Sequence, residues 1–229
     1  VHVTLPVTPV VPPERAIIAL NRSLPSDIRV LTLTPVSHLL DVRVLARAKA
    51  YTYIIHQGEM RSPMLWRYCW ARDWRLDAGL MASAARDFLG THNCRRLGVR
   101  LSATPDRDPI KTMYAVWVRE HGSFVSFTVI GSGFLYRMVR RMASLLGGIG
   151  SGRLPPNSVT EILAGRGQEL IFETAPPSGL CLERVFLAGE RWQDWQPGPL
   201  CYEAMIGQAP LWTRPEPAWP MAPLPTVTP

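Results

Sequence analysis

Arg137, Arg140 and Arg141 recur at i, i+3 and i+4 beside an apolar stripe of Leu135, Met138, Val139, Met142, Leu145 and Leu146. Both sets keep the helical period, so residues 131–150 read as a glycine turn opening a helix with one buried and one basic face. Guanidinium groups grouped in this way can grip phosphate bidentately and stack on bases. Periodicity alone favours a core helix with a solvated basic face. A β-branched and aromatic run over 48–56 reads as a strand that places Tyr51, Tyr53 and Ile55 on one face. Metal chemistry is poorly served. Cys69, Cys94, Cys181 and Cys201 show no C-x-x-C spacing, and no His-x-x-x-His accompanies them. Four scattered cysteines read as free thiols of a reducing compartment. No P-loop, dinucleotide-binding glycine motif or metalloprotease motif occurs.

The elements that must hold these residues follow from pattern. At 229 residues, 47% hydrophobic and a mean hydropathy of +0.03, the chain can bury a full core. No apolar run approaches the ~20 residues of a membrane span, and no signal peptide is expected. Formal net charge is +7, and among 25 lysines and arginines only Lys49 and Lys111 are lysine. That balance favours a polyanionic partner such as RNA, although a GC-rich genome also enriches arginine. Residues 1–11 alternate as an edge strand broken by Pro6 and Pro9. A helix starts at Pro12-Pro13-Glu14 and runs to about Leu20, a turn covers 21–28, and a short strand covers 29–34. Asp77 caps a helix that stops at Gly90, and strands over 114–120 and 123–130 meet at His121-Gly122. Ser158 and Glu161 form a capping box, and Leu182–Leu187 is a last strand. This order is α+β, a largely antiparallel sheet carrying helices, with no internal repeat. Residues 1–190 form one domain. Residues 191–229 form an extended Pro-rich tail that Trp195, Trp212 and Trp219 can anchor.

Six segments, in order, resemble the tRNA pseudouridine synthase A family. Asn21-Arg22-Ser23-Leu24-Pro25-Ser26-Asp27-Ile28 resembles its Asn-x-x-Leu-Pro-x-Asp-Ile turn. Arg43 with Ala48-Lys49-Ala50-Tyr51-Thr52-Tyr53 resembles its arginine and Lys-x-Tyr-x-Tyr strand. Gly90-Thr91-His92-Asn93 is similar to its Gly-Thr-His-Asp turn, and Asp108-Pro109-Ile110-Lys111-Thr112 stands where the family has Arg-Thr-Ile. Residues 133–152 resemble its Phe-Leu-Tyr-x-Met-Val-Arg helix with a trailing Val-Gly-x-Gly, and 175–182 resemble Ala-Pro-x-x-Gly-Leu-x-Leu. The likeness covers 1 to about 187 and leaves the tail outside.

The resemblance implies the pseudouridine synthase fold and isomerisation of uridine in structured RNA without metal or organic cofactor. It makes Tyr51 the aromatic residue against the target uracil, Arg140 the arginine that pairs with the catalytic aspartate, and Arg43 part of the pocket edge. Arg47, Lys49, Arg137 and Arg141 are implied as RNA-facing cations. The family's Gly-Arg-Thr-Asp-Ala-Gly motif does not occur here, Asp41-Val42-Arg43 replaces His-Ala-Arg, and Cys94 replaces an aromatic. The sequence reading therefore expects a non-catalytic RNA-binding component of a ribonucleoprotein such as a mitochondrial ribosome, with ribosomal proteins against the tail. Its alternative is an active tRNA pseudouridine synthase, a homodimer in the cytoplasm, whose aspartate lies upstream of Val1.

Overall fold

The computed structural model describes residues 11–34, 36, 41–58, 63, 65–99, 108–167 and 173–198, with 42 and 43 described by backbone alone. The strand expected over the first residues, and Trp212 and Trp219, lie outside them. The chain divides into two compact units: 1–47 with 186–190, and 48–185 with 191–229.

In the first unit, helix α1 (Pro13–Ser23) starts where Pro13 needs no N–H partner and Glu14 faces the positive end of the helix dipole. It runs past Leu20 because the next residues keep helical bonding up to Leu24 N–H, which donates to Leu20. The strand expected over 29–34 is absent. The Asn21 side chain takes both backbone groups of Val30, donating to its oxygen at 2.9 Å and accepting from its nitrogen at 2.8 Å. One amide side chain thus satisfies the backbone that a strand partner would otherwise serve. Helix α2 (Val42–Leu45) is a single turn, and Ala188 N–H donates to Leu45 O at 2.9 Å.

The second unit is built on a mixed sheet ordered β2-β1-β5-β4-β3, with β6 (Leu180–Leu187) also pairing with β1. Strand β1 (Ala46–Gln57) runs antiparallel to β5 (Phe124–Gly131), from Lys49 opposite Gly131 to His56 opposite Phe124. Strand β4 (Ile110–His121) continues the antiparallel order and pairs with β3 (Gly90–Asn93), a segment expected as a turn. Strand β2 (Trp70–Arg72) is parallel to β1. The β4–β5 turn is Gly122-Ser123, one residue later than read, because His121 pairs with Phe124 and Gly122 takes φ +55. The α+β class and the predominance of antiparallel pairing hold.

One sheet face carries Tyr53, Ile55, Val125, Phe127 and Val129 into the main core, where helices α3 (Ala78–Ala85), α4 (Met138–Gly150) and α5 (Ser158–Leu163) contribute Met81, Met142, Leu145 and Ile162. A bulge at Tyr114 keeps Met113 and Val116 on that same face. On the other face Trp192 stacks on Tyr114 at 5.0 Å and Trp195 meets Trp117 edge-on at 6.3 Å. Helix α4 departs from the two-faced reading. Every residue in it except Arg140 and Arg141 is buried, including Ser144 and the trailing glycines. A Cβ at Gly150 would lie 2.6 Å from Met81 Cγ, so glycine lets α3 close onto this side too. The capping box before α5 is absent. Ser158 Oγ donates to Pro155 O at 2.6 Å, and Glu161 turns instead to Arg166. Among the described residues no helix is long and apolar enough to cross a membrane.

Candidate uridine pocket

Tyr51 sits half-buried on β1 opposite Val129, at the end of the face that carries Tyr53 and Ile55 into the core. Phe134, in the turn after β5, meets it edge to face at 5.2 Å and 87°. That packing fixes the plane of the tyrosine ring. Burial pushes the Tyr51 hydroxyl above its usual 10, so the ring stays neutral. Lys49, opposite Gly131, is partly exposed on the same face of the strand.

Arg140 rises from the first turn of α4. Its Nε donates to Ala175 O at 2.5 Å, and Tyr53 Oη donates to the neighbouring Pro176 O at 2.7 Å. Burial raises the Tyr53 hydroxyl well above the ordinary phenol range, against the opposing pull of the Arg140 and Arg72 charges. Gly179 lets the segment after Ala175 lie flat on β1, and Ser178 Oγ fixes it to Cys69 O at 3.1 Å. The helix arginine, the strand tyrosine and the Ala-Pro-Pro-Ser-Gly segment are therefore one assembly. Among the described residues no carboxylate pairs with Arg140, and its two Nη groups keep their donors for another acceptor. A guanidinium in that state can hold a carboxylate bidentately and keep it ionised.

The entry to α4 is braced from the turn after β3. Val99 N–H donates to Tyr136 O at 2.9 Å, and a Cβ on Gly98 would lie 2.8 Å from Leu135. Arg137 completes the entry in a left-handed conformation, φ 60 and ψ 8. A non-glycine residue there costs roughly 1–2 kcal/mol, and such residues collect at functional sites. Its exposed guanidinium lies 4.9 Å from the centre of the Tyr136 ring.

The remaining sequence-picked cations separate. Arg141 turns inward, its Nη2 donating to Arg96 O at 3.2 Å, while Arg96 itself bonds to the carbonyls of Arg166 and Gly167. Burial, then the Arg96 charge, holds Arg141 below the usual arginine range. Arg47 is exposed near the start of β1, and Arg43 lies in α2 with its side chain outside the described residues. Tyr53, Phe134 and the carbonyls of Ala175 and Pro176 did not emerge as site groups from the sequence. The alternation of β1 and the Ala-Pro-Pro-Ser-Gly wording were the signals that could have found them. Among the described residues no group of three or more His, Cys, Asp or Glu could hold a metal ion.

A family model described as tRNA pseudouridine synthase matches residues 84–186. The tRNA pseudouridine synthase A of Moorella thermoacetica is 38% identical over 175 residues, which cover 76% of this chain and 70% of the relative. That of a Thermoanaerobacter species is 31% identical over 175 residues, covering 76% and 71%. That of Staphylococcus epidermidis is 33% identical over 172 residues, covering 75% and 64%.

Proposed function

The chain belongs to the tRNA pseudouridine synthase A family, and from that premise we propose that it supplies the uridine pocket of an enzyme isomerising uridine in tRNA. The observation that carries this reading is the state of Arg140: fixed through Nε to the Ala175 carbonyl, with neither Nη group bonded among the described residues.

In this reading Tyr51 lies against the target uracil, its ring plane set by Phe134. The base must leave the RNA stack to reach it. Arg140 grips the family's aspartate and keeps it ionised, which the attack on, or deprotonation of, the nucleoside requires. The base then detaches, turns in the pocket and rejoins through carbon 5. Arg47, Lys49 and Arg137 meet phosphates of the RNA, and the substrate binds without metal or organic cofactor. Arg141 contributes by bracing the 94–99 turn.

A second reading has one observation in its favour: no Gly-Arg-Thr-Asp motif occurs in these 229 residues. It makes the protein a non-catalytic RNA-binding part of a ribonucleoprotein such as a mitochondrial ribosome. The relatives, all named as tRNA pseudouridine synthase A, favour the enzyme. Intact mass and N-terminal peptide sequencing of the native protein separate the two. A Gly-Arg-Thr-Asp peptide preceding Val1 is the outcome the enzyme requires. A native protein that starts at Val1 removes the aspartate and refutes the enzyme reading.

A further inference from the structure

The main core ends, at the β2 edge, in a ladder of aromatic rings and guanidinium groups that the uridine pocket does not use. Arg72 lies with its guanidinium carbon 4.1 Å from the centre of the Trp70 ring and 5.1 Å from that of Trp74. Arg153, exposed after the end of α4, lies 3.9 Å from the centre of the same Trp74 ring. Trp70 and Trp74 meet edge to face at 6.3 Å, and Trp70 meets Tyr53 at 6.2 Å. Strand pairing of Ile55 with Trp70 and of Gln57 with Arg72 fixes the first two rungs. The bond from Leu76 N–H to Gln57 Oε1, at 2.7 Å, ties down the chain just beyond Trp74.

The electrostatics of this ladder are unbalanced. Burial, and next the like charge of Arg153, press Arg72 below the usual arginine range, with Glu173, Tyr53 and Asp73 pulling the other way. Nε of Arg72 is buried and, among the described residues, meets no hydrogen-bond acceptor. Arg153 spends its Nε on Ser151 Oγ at 3.0 Å. Among the described residues no ion pair neutralises either group. Two cations held together on aromatic faces, with donors left over, form a site that an anion completes. The ladder adjoins the pocket through Tyr53, whose ring meets Trp70 and whose Oη donates to Pro176 O, next to the Ala175 carbonyl that holds Arg140.

We propose that Arg72 and Arg153, seated on Trp70 and Trp74, bind the phosphodiester backbone of the RNA substrate beside the uridine pocket. The inference rests on the tRNA reading above. The aromatic seats restrict both side chains, so little ordering is lost when phosphate arrives. An extended RNA strand then has two fixed points, Arg140 at the reacting nucleoside and the ladder at its flank.

The test is binding of unmodified tRNA transcript to the full-length native protein across 50–300 mM KCl, for wild type, R153Q and R72Q/R153Q. Removing one phosphate-binding cation flattens the slope of log K against log salt by about 0.9. R153Q should therefore lower the slope by about 1 and the double variant by about 2, with affinity at 0.1 M salt falling roughly 5-fold and 30-fold. Arg153 is exposed, so R153Q keeps the test decisive if the double variant does not fold. An R153Q protein with wild-type slope and affinity overturns the ladder while leaving the tRNA reading intact. A wild type that does not bind tRNA overturns the reading itself, and the ladder with it.

Discussion

Gly179 is where the pocket is least able to give. A Cβ added there would lie 2.6 Å from Ile54 O and 2.8 Å from Tyr53 Cζ, about 0.8 Å inside ordinary van der Waals separation. Strand β1 cannot yield, because Ile54 is held opposite Ser126 in the middle of the sheet. In Gly179→Ala the segment from Ala175 onward must therefore lift. Lifting stretches both the Tyr53–Pro176 and the Arg140–Ala175 bonds, 2.7 and 2.5 Å in the native fold. Overpacking alone costs about 1–3 kcal/mol. A neutral and a charge-assisted hydrogen bond, both weakened rather than broken, add about 1 kcal/mol more. A total near 3 kcal/mol lowers the melting temperature by roughly 6–12 °C for a chain of this size. Thermal unfolding followed by far-ultraviolet circular dichroism reads that shift. Pseudouridine formation should fall with it at temperatures where the variant is still folded, because Arg140 loses its anchor. A melting temperature within about 2 °C of wild type would refute the claim that this segment is clamped to β1.

Asp77→Ala removes the bond from Leu80 N–H to Asp77 Oδ1, 2.8 Å in the native protein, and should cost about 1 kcal/mol in urea unfolding. Burial pushes the Cys94 thiol up to about 11 from an ordinary 9.0, so the folded state keeps a proton that the unfolded chain loses earlier. Stability from this site is full below pH 9 and is lost as pH rises through about 11. Iodoacetamide at pH 8.5 should accordingly label exposed Cys181 and spare Cys94, as peptide mass mapping would show. Burial holds His56 below its ordinary 6.5, so its contribution is present above that pH and is lost as pH falls through the lower folded value. His56→Leu should flatten this acid limb in denaturant unfolding at pH 5 compared with pH 8.

The sequence carried what depends on local pattern. Strand β1, the β4–β5 hairpin and the Asp77 cap follow from alternation, turn residues and capping chemistry, and all three stand in the structure. Long-range events could not be read in that way. Asn21 replaced a strand by bonding Val30 nine positions away, and Glu161 preferred Arg166 to a cap. The all-round burial of α4 depends on Met81, Trp70 and Leu154 closing on its glycines, Trp70 from 77 positions before Gly147. In the candidate site, Tyr51 and Arg140 were suggested by their motifs. That Arg140 is fixed by a backbone carbonyl, 35 positions on, was not, because no pattern in sequence announces which carbonyl faces a guanidinium. The Arg72–Trp74–Arg153 ladder was hidden for the same reason: its rungs meet only once β2 and the end of α4 are placed.

The central claim is that Arg140 serves uridine isomerisation in tRNA. Its most direct test maps pseudouridine in tRNA from a strain lacking the gene, complemented with the full-length gene as wild type or Arg140→Lys. Deletion should abolish pseudouridine at sites in the anticodon arm. Wild type should restore it, and Arg140→Lys should not, since an ammonium cannot hold a carboxylate bidentately. A pseudouridine pattern unchanged by deletion, or restored in full by Arg140→Lys, would contradict the account.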